Sequence, residues 1–241
     1  MKKLILCALL LLGALPAGAG TVLFVGDSHS VGPFGWKLDA LLREAGHRAA
    51  TYASCGSIAQ WWVTGKPTPC GYFFRDLAGG TQKGQKGPTP IFADLLAQIK
   101  PEVVIVELGA NYSGNPSDEF AVKDMRAMAD AILAAGASCL WVTKPDSRKN
   151  HEDIPRILEL TYKATEGMCP VFDSTLVTKY PAAGGDGIHY WFKEGLPIAD
   201  AWAARVYEWA APRLPPSVAR EFGEKGLSRQ STFINPNDSN Q

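Results

Sequence analysis

Apolar residues along this chain fall into short continuous runs, and between them lie stretches whose apolar positions recur at helical spacing. Residues 21–25 (Thr-Val-Leu-Phe-Val) form the first run, nearly all apolar and ending at Gly26-Asp27-Ser28. A strand buried on both faces and closed by a tight turn reads this way. The same logic predicts strands over 48–53, 103–108, 138–143 and 171–173. Helical spacing predicts helices over 36–45, 91–99, 118–135, 154–166 and 195–211, several ended by Gly or by a Lys-Pro step. Residues 55–90 show no clear period and are rich in Gly, Pro, Lys and aromatics, so they are expected to form a long loop or small insertion. Within it, Gly79–Gly87 lacks the Gly-Lys-Ser/Thr ending of a phosphate-binding loop and reads as a flexible segment.

Strands alternating with helices imply a mostly parallel, five-stranded sheet covered on both faces. In such folds ligands sit at the carboxyl ends of strands, near the point where strand order reverses. The segments 26–28, 55–57, 109–111 and 186–189 all follow predicted strands, so they are expected to converge on one rim.

The ends of the chain differ from its middle. Met1-Lys2-Lys3 is basic, residues 4–15 are apolar apart from Gly13, and Ala17-Gly18-Ala19 has a small-x-small pattern. An apolar run of about a dozen residues suits a signal peptide and falls short of the ~20 needed to span a bilayer. The expected organisation is a signal peptide over 1–19, one α/β domain over 20–214 and a polar, mobile tail over 215–241. Such a chain would be secreted or periplasmic, soluble, and without a membrane span once processed.

Charge narrows the partners. The full chain holds 24 basic and 24 acidic residues, and loss of Lys2 and Lys3 leaves 22 against 24. Without a Lys/Arg stripe, nucleic acid is not expected as a partner. Cys55, Cys70, Cys139 and Cys169 remain after processing, an even number that favours disulfides in an oxidising compartment. Of three connectivities, Cys55–Cys70 with Cys139–Cys169 is preferred; the first closes a loop of about fifteen residues, worth roughly 3 kcal/mol. The four histidines, His29, His47, His151 and His189, lack zinc-ligand spacing, so no metal is expected.

The candidate chemistry lies at the strand ends. Ser28 follows a sharp turn and precedes a helical segment whose positive end could favour a developing oxyanion. Taken alone, Gly-Asp-Ser is equally ordinary turn chemistry. Asp186 and His189, three apart just before the last helix, can bond to each other while the imidazole Nε2 faces a serine. Oxyanion donors could be the Ser28 N–H, the Gly56 N–H and the Asn111 side-chain amide, with Gly71 an alternative to Gly56.

These pieces together resemble the SGNH/GDSL hydrolases. Gly26-Asp27-Ser28 is similar to the family's first block, Gly56 stands where the second block has its oxyanion glycine, Gly109-Ala110-Asn111 resembles the third, and Asp186-Gly187-Ile188-His189 the fifth. All four follow the family's order and span most of the 20–214 region. The resemblance implies a flavodoxin-like three-layer α/β/α sandwich and ester hydrolysis or acyl transfer without a cofactor. It also implies Ser28 as nucleophile, His189 as base, Asp186 as its orienting acid, and Ser28, Gly56 and Asn111 as the oxyanion hole. Tyr112 stands where the third block usually has Asp, and His29 replaces the common aliphatic after the serine. His29 reads as a structural or pocket-wall residue.

Trp61, Trp62, Tyr72 and Tyr112 are candidates for a flat substrate platform, the alternative being packing of the insertion. With export, this points to a carbohydrate O-acetyl esterase acting on a small-molecule or glycan ester. A lipase, lysophospholipase or O-acetyltransferase could use the same residues, and a non-catalytic glycan-binding domain could keep the fold.

Overall fold

The computed structural model describes residues 20–114 and 117–217. The expected signal peptide and residues 218–241 of the expected tail lie outside the described residues. The chain opens with β1 (Thr21–Gly26), every residue of which is buried, then a single turn of helix, α1 (Ser28–Val31). Helix α2 (Pro33–Glu44) begins three residues before its predicted start. Pro33 explains the difference, since a proline's fixed φ suits the first helical turn. Strand β2 (Arg48–Ser54) follows.

Of the long loop or small insertion expected over 55–90, the structure shows the insertion. It holds helix α3 (Ala59–Thr64) and four short strands, β3 (Pro67–Thr68), β4 (Tyr72–Arg75), β5 (Thr81–Gly84) and β6 (Gly87–Pro88). β4 pairs antiparallel with β2, placing Phe73 opposite Ala53, and β5 pairs antiparallel with β4. Arg75 bonds across to the buried carboxylate of Asp39 on α2 at 2.7 Å, tying this hairpin to the body. The stretch 79–87 is therefore largely strand and turn.

The remainder follows the predicted alternation: α4 (Phe92–Ile99), β7 (Val103–Glu107), α5 (Asp118–Ala134), β8 (Ser138–Val142), α6 (Ile154–Thr165), β9 (Val171–Phe172) and α7 (Leu196–Ala210). Ser117 caps α5 by accepting from the Phe120 N–H, and Asp118 and Glu119 add negative charge to its first turn. The sheet has the order β5-β4-β2-β1-β7-β8-β9. Its five inner-to-far strands, β2, β1, β7, β8 and β9, are parallel, and the hairpin brings the total to seven instead of five.

Strand alternation divides the core in two. Val22 and Phe24 of β1 face α2 and α7, where Phe34 stacks on Trp202 with ring centroids 3.6 Å apart. Leu23 and Val25 face the opposite layer, built from α3 to α6. Each such fully buried side chain contributes about 1.5–3 kcal/mol through loss of apolar surface from water. The result is an α/β/α sandwich with a mostly parallel sheet. Disulfides join Cys55 to Cys70 and Cys139 to Cys169. Among the described residues, no helix is long and apolar enough to cross a membrane.

Candidate active site

β1 lies where the strand order reverses, with β2 on one side and β7 on the other. The chain leaving its carboxyl end turns at Gly26, where a Cβ would come within 2.0 Å of Ser30 Oγ, so only glycine admits this approach. Asp27 caps α1 by accepting from the His29 N–H, and Ser28 is the first residue of that turn. A first-turn N–H has no acceptor within its own helix, so the Ser28 amide is available as a donor.

The loop after β9 brings the second half. His189 Nδ1–H donates to Asp186 Oδ2 at 2.6 Å, which leaves Nε2 to accept from the Ser28 hydroxyl at 2.8 Å. Asp186 Oδ1 accepts from the N–H groups of Ile188 and His189, each at 2.8 Å. Partial burial pushes the Asp186 carboxyl up, but the His189 ring and these two amides outweigh it and hold it at about 2. Burial, assisted by the neighbouring His29 ring, lowers the His189 pKa below its ordinary value against the opposing pull of Asp186.

Two residues that sequence reasoning missed hold this loop in place. Arg148 donates to the carbonyls of Pro181 and Gly184, and the backbone N–H groups of Arg148 and Lys149 donate to Gly187. The Tyr180 hydroxyl accepts from the Gly187 N–H and donates to the His189 carbonyl. Nearly all these contacts run to backbone carbonyls, which leave no trace in residue type.

Gly56 and Asn111 border the same cavity, of about 300 Å³, together with Ser28 and His189. Gly56 has φ +81°, a left-handed conformation that favours glycine. Gly71 contributes instead to the neighbouring groove, and its carbonyl accepts from the Cys55 N–H. The Asn111 amide nitrogen lies 3.1 Å from Asp27 Oδ2 and 3.0 Å from the Ser57 carbonyl. Both its hydrogens thus have acceptors here, and donation into the cavity requires one to be exchanged.

Below the serine, Asp27, His29 and Glu107 form a buried cluster whose ligand-type atoms lie within 4.8 Å of one another. They are bound to each other and to their surroundings: His29 Nδ1 sits 3.2 Å from Asp27 Oδ1, its Nε2 faces the Ile188 carbonyl, and Ser30 Oγ donates to Glu107 Oε2. Burial, then the Asp27 charge, push the Glu107 carboxyl well above the usual carboxylate range.

Two of the four platform candidates are not surface residues. Trp62 is fully buried and donates from Nε1 to Ser57 Oγ. Tyr112 is fully buried too, donating to Asp124 and accepting from the Ala59 N–H. Both pack the insertion and its neighbours into the core. Trp61 is half-buried with Lys66 Nζ over its ring, and Tyr72 stacks on Phe74. Two exposed aromatics, Trp36 and Trp191, flank a groove lined also by Tyr72, Phe73 and Cys70. Cys70 also walls the serine cavity, so the two spaces adjoin.

No family model matches the sequence, and no curated protein is similar to it. Solved structures are. The esterase EstA from a Pseudoalteromonas species is similar over 80% of this chain and 99% of its own, with a TM-score of 0.50 and 15% identity. A lipolytic-type protein of the G-D-S-L family from Desulfitobacterium hafniense is similar over 77% of this chain and 98% of its own, with a TM-score of 0.52 and 18% identity. The fold is that of the GDSL/SGNH hydrolases.

Proposed function

We propose that this protein is an exported serine ester hydrolase. The observation that carries the reading is the unbroken line from Asp186 through His189 to Ser28, 2.6 Å and 2.8 Å long, at the carboxyl end of the central strand. In the proposed reaction His189 Nε2 takes the Ser28 proton as Oγ attacks an ester carbonyl, and the ionised Asp186 stabilises the imidazolium. The N–H groups of Ser28 and Gly56 and the Asn111 amide receive the oxyanion. His189 then protonates the departing alcohol, and water activated by the same imidazole releases the acid and restores Ser28.

A cavity of about 300 Å³ favours a short acyl group over a long one. With the adjoining Trp36/Trp191 groove as a surface for a sugar ring, the substrate class favoured is an O-acetylated carbohydrate. The two disulfides fit an oxidising compartment, in keeping with export. Hydrolysis of aryl acetate and aryl laurate by the 20–241 chain tests this, with Ser28→Ala alongside. Faster acetate turnover that disappears in the variant, and phosphonate labelling of Ser28, are expected. Equal turnover by both proteins would end the assignment.

A further inference from the structure

Lys144 stands two residues past the end of β8, one strand beyond β7, and so reaches the same rim as Ser28. It is only 3% exposed, and it lines the serine cavity. A buried ammonium is costly unless a counter-charge meets it. Among the described residues no carboxylate lies within ion-pair distance. The acids that act on it from further away are mostly engaged elsewhere. Asp153 is bonded to Arg156, Asp27 to His29 and Asn111, and Asp146 to His151 and the Tyr180 N–H. Burial lowers the Lys144 pKa, and those distant acids only partly restore it. The cavity wall carries a second lysine, Lys149, and no acidic side chain.

We propose that Lys144 is the counter-ion for a carboxylate carried by the substrate close to its ester bond, so that the preferred esters are anionic. This rests on the esterase reading of the site and adds a requirement to it. An ammonium with no protein partner gains a charge-assisted hydrogen bond when such a substrate enters, and a neutral ester leaves it unpaired. The carboxylate can belong to the alcohol portion, as in an acetylated acidic sugar, or to the acyl portion.

Two matched pairs separate these sources: 3-acetoxybenzoate against 3-acetoxybenzamide, and the 4-nitrophenyl monoester of succinate against that of succinamic acid. The ratio of kcat/KM, anionic over neutral, is expected to be about tenfold or more in one pair. Lys144→Met is expected to bring that ratio to about one, and Lys144→Arg to keep part of it. The wild-type protein gives a second readout that needs no variant: 3-hydroxybenzoate or succinate should inhibit it more strongly than its amide counterpart. Ser28-dependent hydrolysis with ratios near one in both pairs, or a preference that survives in Lys144→Met, would overturn the anion site and leave the esterase standing. Conversely, if no ester is hydrolysed, titration of 3-hydroxybenzoate and of 3-hydroxybenzamide into the protein still decides the anion site. Lys144-dependent, carboxylate-selective binding would support it and end the esterase reading alone; equal or absent binding of the two would end both.

Discussion

Two histidine–carboxylate pairs flank Ser28, and they differ in almost every respect that governs proton transfer. His29 and Asp27 are both buried and 3.2 Å apart; His189 and Asp186 lie toward solvent and are 2.6 Å apart. The two rings are near neighbours, with centroids separated by 5.3 Å. Direction distinguishes them. The far nitrogen of His189 points at the serine hydroxyl, whereas that of His29 points at the Ile188 carbonyl, in the loop that carries His189. One pair is placed to exchange a proton with Ser28, and the other ties that loop to the strand-end turn. Composition alone would have ranked them equal.

Substitution should break this symmetry most visibly in rate. His189→Ala is expected to lower kcat/KM for an aryl acetate by roughly four decades or more. His29→Gln should cost less than about tenfold, with its main effect a lower Tm from a disturbed buried hydrogen bond. Similar losses in the two variants would collapse the distinction. Asp186→Asn comes next, at about two to four decades, because the neutral amide no longer fixes the imidazole tautomer.

The pH profile sharpens the comparison in sign. The proposed base must be neutral, so activity rises with pH through the His189 pKa. That acid limb should have its midpoint below the ordinary imidazole value of 6.5. His29 lowers the His189 pKa and Asp186 raises it. His29→Gln should therefore move the limb to higher pH, and Asp186→Asn, in its residual activity, to lower pH. Movement of both variants in one direction would contradict the electrostatics described. The smallest effect concerns Glu107. Its folded pKa lies above the unfolded value near 4.5, so its contribution to stability is fully present below that value and lost as pH rises through the folded pKa. The Tm of Glu107→Gln relative to wild type should climb by a few degrees across that window and then level off.

Much of this arrangement was legible in residue order. The apolar runs at 21–25 and 103–108 announce strands buried on both faces, and strand ends in an alternating fold announce the rim where Ser28, Gly56 and Asn111 gather. The hairpin of β4 and β5 was not legible. Thr81-Gln82-Lys83-Gly84 has no apolar face, and its order comes from pairing with β4 and from the Arg75–Asp39 bond. Trp62 and Tyr112 misled because aromatics in an aperiodic, Gly-rich setting suggest a surface. Here α3 places Ala59 and Trp62 three apart on its buried side, and Tyr112 finds its hydroxyl partners in Ala59 and Asp124. Lys144 carries no motif, and its burial follows from where β8 ends.

The two margins of the sheet have a consequence for the molecule's behaviour among its own copies. One outermost strand, β9, is only two residues long. The other, β5, has four residues, of which Thr81, Gln82 and Lys83 are exposed. A short margin at one side and a polar, lysine-bearing one at the other offer little template for a foreign strand. A sheet of seven strands is thereby discouraged from growing an eighth out of its neighbour, which favours colloidal stability in a crowded solution.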